Sequence, residues 1–455
     1  MTTHTTPPPA PRPRTRRRGP LGLAVTVAVA AAVLCTGAVP VGAAPAPEPA
    51  GPLAGGATPL TELDAVGRMI GGARVVGMGE ASHSAHEFFT LKRRVFEHLV
   101  THKGFTTFAL ETSWSTGLRL NAYVQHGIGD PAQIMEEEFQ GQYVFWNTEE
   151  YLDLVRWMRH YNLSHPSAPK LRFAGNDLGY PGPEAFTQVS DYVAAYRPAL
   201  AERFEKLYAS LVPEAGTQAG PWMREQLAKD PAERRAQADR AREALDLLRE
   251  EGRPADPAPE RARAHDWAVQ NATVLAQTFT AYAYPDDEFA DRMRYRDRAM
   301  AANTAWLLQH QGGKILLASN NGHVAYTSDN PEEFPEPAGS LLRERLGSGY
   351  VNIGLTFNRG TVNALPDFTA QQPRTYTVTP APQGHNDHLL DELGGRRDFA
   401  LDLRAMDTEQ RAELTRPRPT RSYGLYWSPE APETSLGRSY DILVHLHEVE
   451  AAHLR

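Results

Sequence analysis

Glu80 and His83 stand three residues apart in Gly79-Glu80-Ala81-Ser82-His83, directly after the apolar run Ala73–Gly77. Histidine changes charge close to neutrality, which suits it to take a proton from water, and a carboxylate at this spacing can orient the ring or share its proton. Three further apolar runs stop on polar residues. Phe105–Leu110 runs into Glu111, Leu171–Gly175 into Asn176-Asp177, and Lys314–Ala318 into Asn320-Asn321-Gly322-His323. Open α/β sheets bind ligands beyond the carboxyl ends of their strands, so these ends are expected to meet in one pocket of ionisable groups. That pattern points to an enzyme. Glu80 and Glu111 are expected at the ends of neighbouring strands, where one carboxylate raises the pKa of the other.

The elements that must position these groups are legible in the periodicity. Phe88, Leu91, Val95 and Leu99 share one face of a helix that ends at Gly104, a C-cap residue. Strand, helix and strand over residues 73–110 make a βαβ unit, and such crossovers build parallel sheets. Residues 131–162 are expected to hold one helix, carrying Leu152, Val155 and Trp157, and residues 186–310 read as a large helical insertion interrupted by Pro254 to Pro259. Tyr350–Phe357 and Tyr440–Leu446 read as further strands. The expected fold is α/β: a mainly parallel sheet flanked by helices, with the helical insertion and a C-terminal α/β extension. Residues 61–455 would form this domain, with residues 45–60, rich in Pro, Ala and Gly, as a flexible linker.

Composition narrows the function. The chain has 455 residues, 47 basic and 55 acidic. Residues 1–44 join an arginine-rich stretch to an apolar run, Leu21 to Ala38, and a small-residue site at Ala44. This reads as a cleaved secretory signal peptide, and Arg17-Arg18 allows twin-arginine export. Five Arg and no acids lie in that segment, so the remainder carries 42 basic and 55 acidic residues, a formal charge of −13. Binding to nucleic acid or to an anionic membrane through bulk charge is not expected. The expected product is a secreted monomer acting on a small molecule. The single cysteine, Cys35, lies in the leader and leaves no thiolate chemistry. Neither a Gly-x-Ser-x-Gly elbow nor a phosphate-binding glycine loop is present, which favours activated water over a serine ester. His83, His86 and Glu87 permit a metal reading, although their spacing is that of neither zinc-protease motif.

Together these segments resemble the erythromycin esterase family. The residues are Gly79-Glu80-Ala81-Ser82-His83 with Glu87-Phe88-Phe89, the strand ending in Glu111, Trp157-Met158-Arg159-His160-Tyr161-Asn162 and Phe173-Ala174-Gly175-Asn176-Asp177. Arg296-Asp297-Arg298-Ala299-Met300-Ala301-Ala302-Asn303 and Asn321-Gly322-His323-Val324 complete the set. The resemblance implies an α/β core with added helices, and hydrolysis of an ester or lactone, such as a macrolide, without metal or other cofactor. It implies that His83 is the general base, that Glu80 and Glu111 hold the water and the ring, and that Arg296 and His323 lie near the substrate carbonyl. Lys92, Asn320, Asn321 and Asp177 are the expected substrate-binding residues. Asn320 stands where the family has a histidine and cannot shuttle a proton, and Lys92 stands where it has an arginine and lacks the bidentate fork. Acyl transfer, cyclisation or elimination in the same pocket, a metal-dependent hydrolase, and an inactive binding homologue are the alternatives.

Overall fold

Val75-Val76-Gly77-Met78 and Phe105–Ser113 are buried at every residue, as strands covered on both faces must be. The computed structural model describes residues 56–253, 258–367, 370 and 372–455. The signal-peptide reading therefore lies outside the described residues. The strands are β1 (Thr58–Pro59), β2 (Val75–Met78), β3 (Phe105–Ser113), β4 (Arg172–Asp177), β5 (Lys314–Ala318), β6 (Tyr350–Ala364), β7 (Arg374–Val378), β8 (Phe399–Asp402), β9 (Arg418–Pro419), β10 (Glu433–Thr434) and β11 (Ile442–Val449). Nine of them form one sheet in the order β1-β8-β11-β6-β2-β5-β3-β4, with β7 on β6. From β11 to β4 the six neighbours run parallel; β1, β7 and β8 pair antiparallel. The mainly parallel α/β fold is thus as expected, with antiparallel strands contributed by β7 and β8 of the C-terminal third and by β1.

Alternation along the central strands points their side chains into two cores, and a third cluster, with Leu390, Phe399, Leu401 and Leu443, lies under the C-terminal strands. Val76, Met78, Phe108, Leu110, Leu316 and Ala318 face one, which holds Phe88, Val95 and Leu99. Val75, Ala109, Ile315 and Leu317 face the other, with Met300, Leu307 and Leu342. The covering helices are α1 (Leu63–Ile70), α2 (His86–Lys103), α3 (Trp114–His126), α4 (Pro131–Glu138), α5 (Glu149–Ser164), α6 (Gly182–Tyr196), α7 (Ala201–Tyr208), α8 (Ala219–Ala228), α9 (Pro231–Glu251), α10 (Pro259–Ala283), α11 (Phe289–Gln311), α12 (Asn321–Val324) and α13 (Ala338–Leu346). Helix α2 ends as expected on Gly104, in the left-handed conformation with its N–H on the Leu99 carbonyl.

Three expectations need correction. Residues 131–162 are not one helix: α4 stops at Glu138, a 3-10 turn spans Gly141–Trp146, and α5 restarts on Thr148, whose hydroxyl caps the Tyr151 N–H. Gly141 takes a positive φ, which no continuous helix would place there. Within the span assigned to a linker, Thr58–Pro59 pairs with β8. Finally β2 and β3 are not neighbours, because β5 lies between them.

Candidate active site

His83 follows β2 on a segment held from several sides. Glycine at position 79 is required by proximity and not by a turn: its φ is not positive, and a Cβ there would collide with the side chain and Cα of Asn321. Tyr423 N–H donates to the Ala81 carbonyl at 2.7 Å, and Asn363 Nδ2 donates to Ser84 Oγ at 2.9 Å. The tail joins in, with His86 N–H on the Glu450 carbonyl at 2.7 Å. His83 Nδ1 is 2.9 Å from Glu80 Oε1, and Lys92 Nζ donates to Glu80 Oε2. With an ammonium on its other oxygen, Glu80 serves as an acceptor, so Nδ1 carries the hydrogen and Nε2 keeps its lone pair. Trp146 meets the ring edge-on with centroids 4.9 Å apart, and Phe145 lies parallel at 6.4 Å. The arrangement fixes the orientation of the ring and the nitrogen that meets Glu80.

Lys92 is fully buried. Burial pushes its ammonium down from the ordinary value, and Glu80 and Glu111 oppose that. It is a counter-ion for Glu80, not the expected substrate contact. Lys92→Met would strand a buried carboxylate, which typically costs about 3–5 kcal/mol. Denaturant unfolding of that variant should show a loss of this size; a loss below about 1 kcal/mol would mean that Glu80 finds another partner.

The second cluster centres on Glu111, near the end of β3, where pairing with β4 is irregular between Leu110 and Ser113. Such a break in register re-aims a side chain. Glu111 Oε2 accepts from Ser319 Oγ at 2.7 Å and from the Asn320 N–H at 2.9 Å, both just past β5. Its Oε1 accepts from Arg296 Nη2 at 2.9 Å and lies 3.2 Å from His323 Nε2. Burial would raise the Glu111 carboxyl, but His323, Arg296 and His83 outweigh it and hold the group well below the usual range. The expected carboxylate–carboxylate coupling is therefore not what tunes Glu111; β5 separates the two strands and cations dominate.

Arg296 and His323 present neighbouring cationic heads, Nη1 and Nε2 being 3.2 Å apart. Carboxylates surround them. Asp177 takes Arg296 Nε at 2.9 Å and Nη2 at 2.5 Å, a bidentate fork, and Asp297 Oδ1 binds His323 Nδ1 at 2.8 Å. Burial works against a charged His323, yet Asp297 and Glu111 overcome it and push its pKa up to about 10, with Arg296 opposing. His323 is an imidazolium at neutral pH, a donor and not a base. A value near 10 in the fold against an ordinary 6.5 makes this charge stabilising below pH 6.5, and the contribution is lost as pH rises through about 10. Tm followed from pH 7 to pH 10.5 should fall, and His323→Gln should flatten that slope; equal slopes would assign the titration to another group.

The structure brings together Glu80, His83, Lys92, Glu111, Asp177, Arg296, Asn320, Asn321 and His323, but redistributes their roles. Asp177 is fully buried on Arg296 and on Tyr143, whose hydroxyl donates to Asp177 Oδ2 at 2.9 Å. Asn321 is a strut: its amide bonds the Leu355 carbonyl at 2.7 Å and its oxygen accepts the Leu355 N–H at 3.0 Å. The Asn320 side-chain oxygen caps α12 through the Gly322 N–H at 2.9 Å, leaving its NH2 group for a ligand. Sequence reasoning missed Ser319, Asp297, Phe145, Trp146 and Tyr143. Asp297 carried a signal in its place beside Arg296, whereas the three aromatic residues lie in a stretch with no periodic pattern of its own. His86 and Glu87, the metal alternative with His83, point to other partners: His86 Nδ1 meets Glu150 Oε1 at 2.7 Å and Glu87 Oε2 accepts the Glu450 N–H. A cavity of about 590 Å³, lined by Arg74, Gln270, Asn303, Trp306 and Arg345, does not include the cluster. The cluster itself is narrow, with His83 7% and His323 8% exposed.

The Glu80–His83 pair and the cationic, carboxylate-braced cluster around Glu111 lie past the carboxyl ends of parallel strands, where α/β folds bind ligands. The chain belongs to the erythromycin esterase family, whose profile matches residues 100–449. The matched span includes Glu111, Asp177, Arg296 and His323 and begins downstream of Glu80 and His83. Membership places the chain among ester hydrolases. It is 23% identical over 353 residues to erythromycin esterase type II of Escherichia coli, covering 70% of this chain and 80% of that protein. A crystal structure of a Bacillus cereus protein superposes with a TM-score of 0.78 at 28% identity, covering 89% of this chain and 97% of the other. A succinoglycan biosynthesis protein superposes with a TM-score of 0.75 at 27% identity, covering 88% and 93%.

Proposed function

We propose that the protein is an exported hydrolase of an ester or lactone, of macrolide type or of a related secondary metabolite, in which His83 removes a proton from water as it attacks the carbonyl. The observation that carries this reading is the Glu80–His83 pair, which leaves Nε2 as a base, beside the charged Arg296–His323 pair. The base acts on water; the cations, with the Asn320 NH2 group, meet the developing oxyanion, a contribution of about 3 kcal/mol per donor. No step calls for a metal ion. Export follows from the basic and apolar character of residues 1–44, and N-terminal sequencing of the secreted protein should begin at Pro45.

The succinoglycan neighbour is named for biosynthesis and not for hydrolysis, which motivates a second reading: acyl transfer, cyclisation or elimination on a secondary metabolite in the same pocket. Incubation of the purified chain, with chelator present, against macrolides and simple aryl esters separates the two. Hydrolysis opens a lactone to one product heavier by one water, and splits an aryl ester into a free carboxylic acid and a phenol whose masses sum to the ester plus one water. Products that have not taken up the elements of water support the second reading, and activity abolished by the chelator while Tm and circular dichroism stay unchanged removes the metal-free mechanism.

A further inference from the structure

Three side chains outside the site converge where the C-terminal tail meets the base-carrying segment. His86 is the first residue of α2, Glu150 lies in the first turn of α5, and His453 is on the tail. Glu150 Oε1 is 2.7 Å from His86 Nδ1 and 2.8 Å from His453 Nδ1, and it also accepts the His453 N–H at 3.1 Å. One ligand atom from each residue lies within 4.8 Å of the others. The two rings meet edge-on with centroids 5.1 Å apart. Glu150 is 7% exposed, and its Oε2 is buried without a hydrogen-bond partner. A buried carboxylate oxygen left unsatisfied calls for a cation or another donor.

We propose that His86 Nδ1, His453 Nδ1 and Glu150 bind one divalent transition-metal ion of the Zn²⁺ class, which staples the tail to the segment that carries His83. Two imidazoles and a carboxylate are a donor set that suits Zn²⁺ and Co²⁺ and leaves a fourth position for water. Without the ion each Nδ1 donates its hydrogen to Glu150 Oε1; on binding, that hydrogen leaves Nδ1, each neutral ring keeps its hydrogen on Nε2, and the Nδ1 lone pair meets the ion. The geometry gives the ion a structural role. Ala85 bridges Ala451, and Glu450 accepts the His86 N–H, so the three ligands hold both sides of a contact that begins two residues after His83.

Among the described residues a competing cluster, Asp64, His98 and His102, provides the control. Titration of the purified chain with Zn²⁺ by calorimetry, and with Co²⁺ by visible absorption, should show one ion per chain and the bands of a four-coordinate cobalt site. His453→Ala and Glu150→Gln should weaken binding by more than the roughly 10–100-fold that loss of a merely supporting group costs, and His98→Ala should leave it unchanged. His453 is exposed, so its variant is expected to fold; circular dichroism checks this. Zn²⁺ should raise Tm in the parent and not in His453→Ala. Undiminished binding in His453→Ala, binding lost in His98→Ala, or no binding by the folded parent would each overturn the proposal.

Discussion

Alanine at position 83 is expected to lower kcat on any ester the enzyme accepts by roughly 10²–10⁴, the range that positioned acid–base catalysis contributes. KM should change little, because His83 is walled by Phe145 and Trp146 and takes part through a proton and not through bulk contact. The fold should survive, since Lys92 still holds Glu80 from the other side. Steady-state kinetics and circular dichroism on one preparation make the test. A variant that keeps more than about a tenth of the parental kcat would remove the general-base role, because even the lower end of that range would then be missed.

Arg296 should give the largest combined effect on stability and rate. Its guanidinium satisfies Asp177 with two bonds and Glu111 with one, and both carboxylates are buried. Arg296→Met leaves Asp177 with neutral donors alone, among them the Tyr143 hydroxyl, and Glu111 with His323, Ser319 and the Asn320 N–H; breaking a buried pair from one side costs about 3–5 kcal/mol. Arg296→Lys keeps the charge without the planar fork, so it should fold better than the Met variant. Its kcat should nevertheless fall by roughly 10²–10³, the loss typical of one misplaced oxyanion donor. Denaturant midpoints and kcat for the two variants separate the effects. Equal stability of parent and Arg296→Met would show that the carboxylates are satisfied in another way.

How far the chain could be read without coordinates depended on the range of the interactions involved. Strand ends with Glu, Asp and His at their tips are local patterns, and β5 lies where its apolar run predicts. What could not be read was strand order. Glu80 and Glu111 were expected side by side because their strands are joined by one crossover, but β5 enters between them from over two hundred residues downstream. That insertion replaces carboxylate repulsion with Ser319, Asn320 and cations around Glu111. The roles of Asp177, Lys92 and Asn321 were misjudged for the same reason. Each looked like a polar residue at a pocket, and each is consumed by a partner, remote in sequence for Asp177 and Asn321 and across the first turn-and-helix segment for Lys92. Residues 139–148 carry no periodic pattern of their own, and it is the Gly141 turn and the 3-10 turn after it that deliver Phe145 and Trp146 to His83.

The central claim is that His83 delivers water directly to the carbonyl, without an acyl group passing through the protein. A single turnover in ¹⁸O-water with enzyme in excess, followed by mass spectrometry of both product and protein, tests it most directly. The account predicts one heavy oxygen in the product carboxylate and none in the chain. Label retained on a protein carboxylate such as Glu80 or Glu111, or an acylated residue trapped during the turnover, would contradict it.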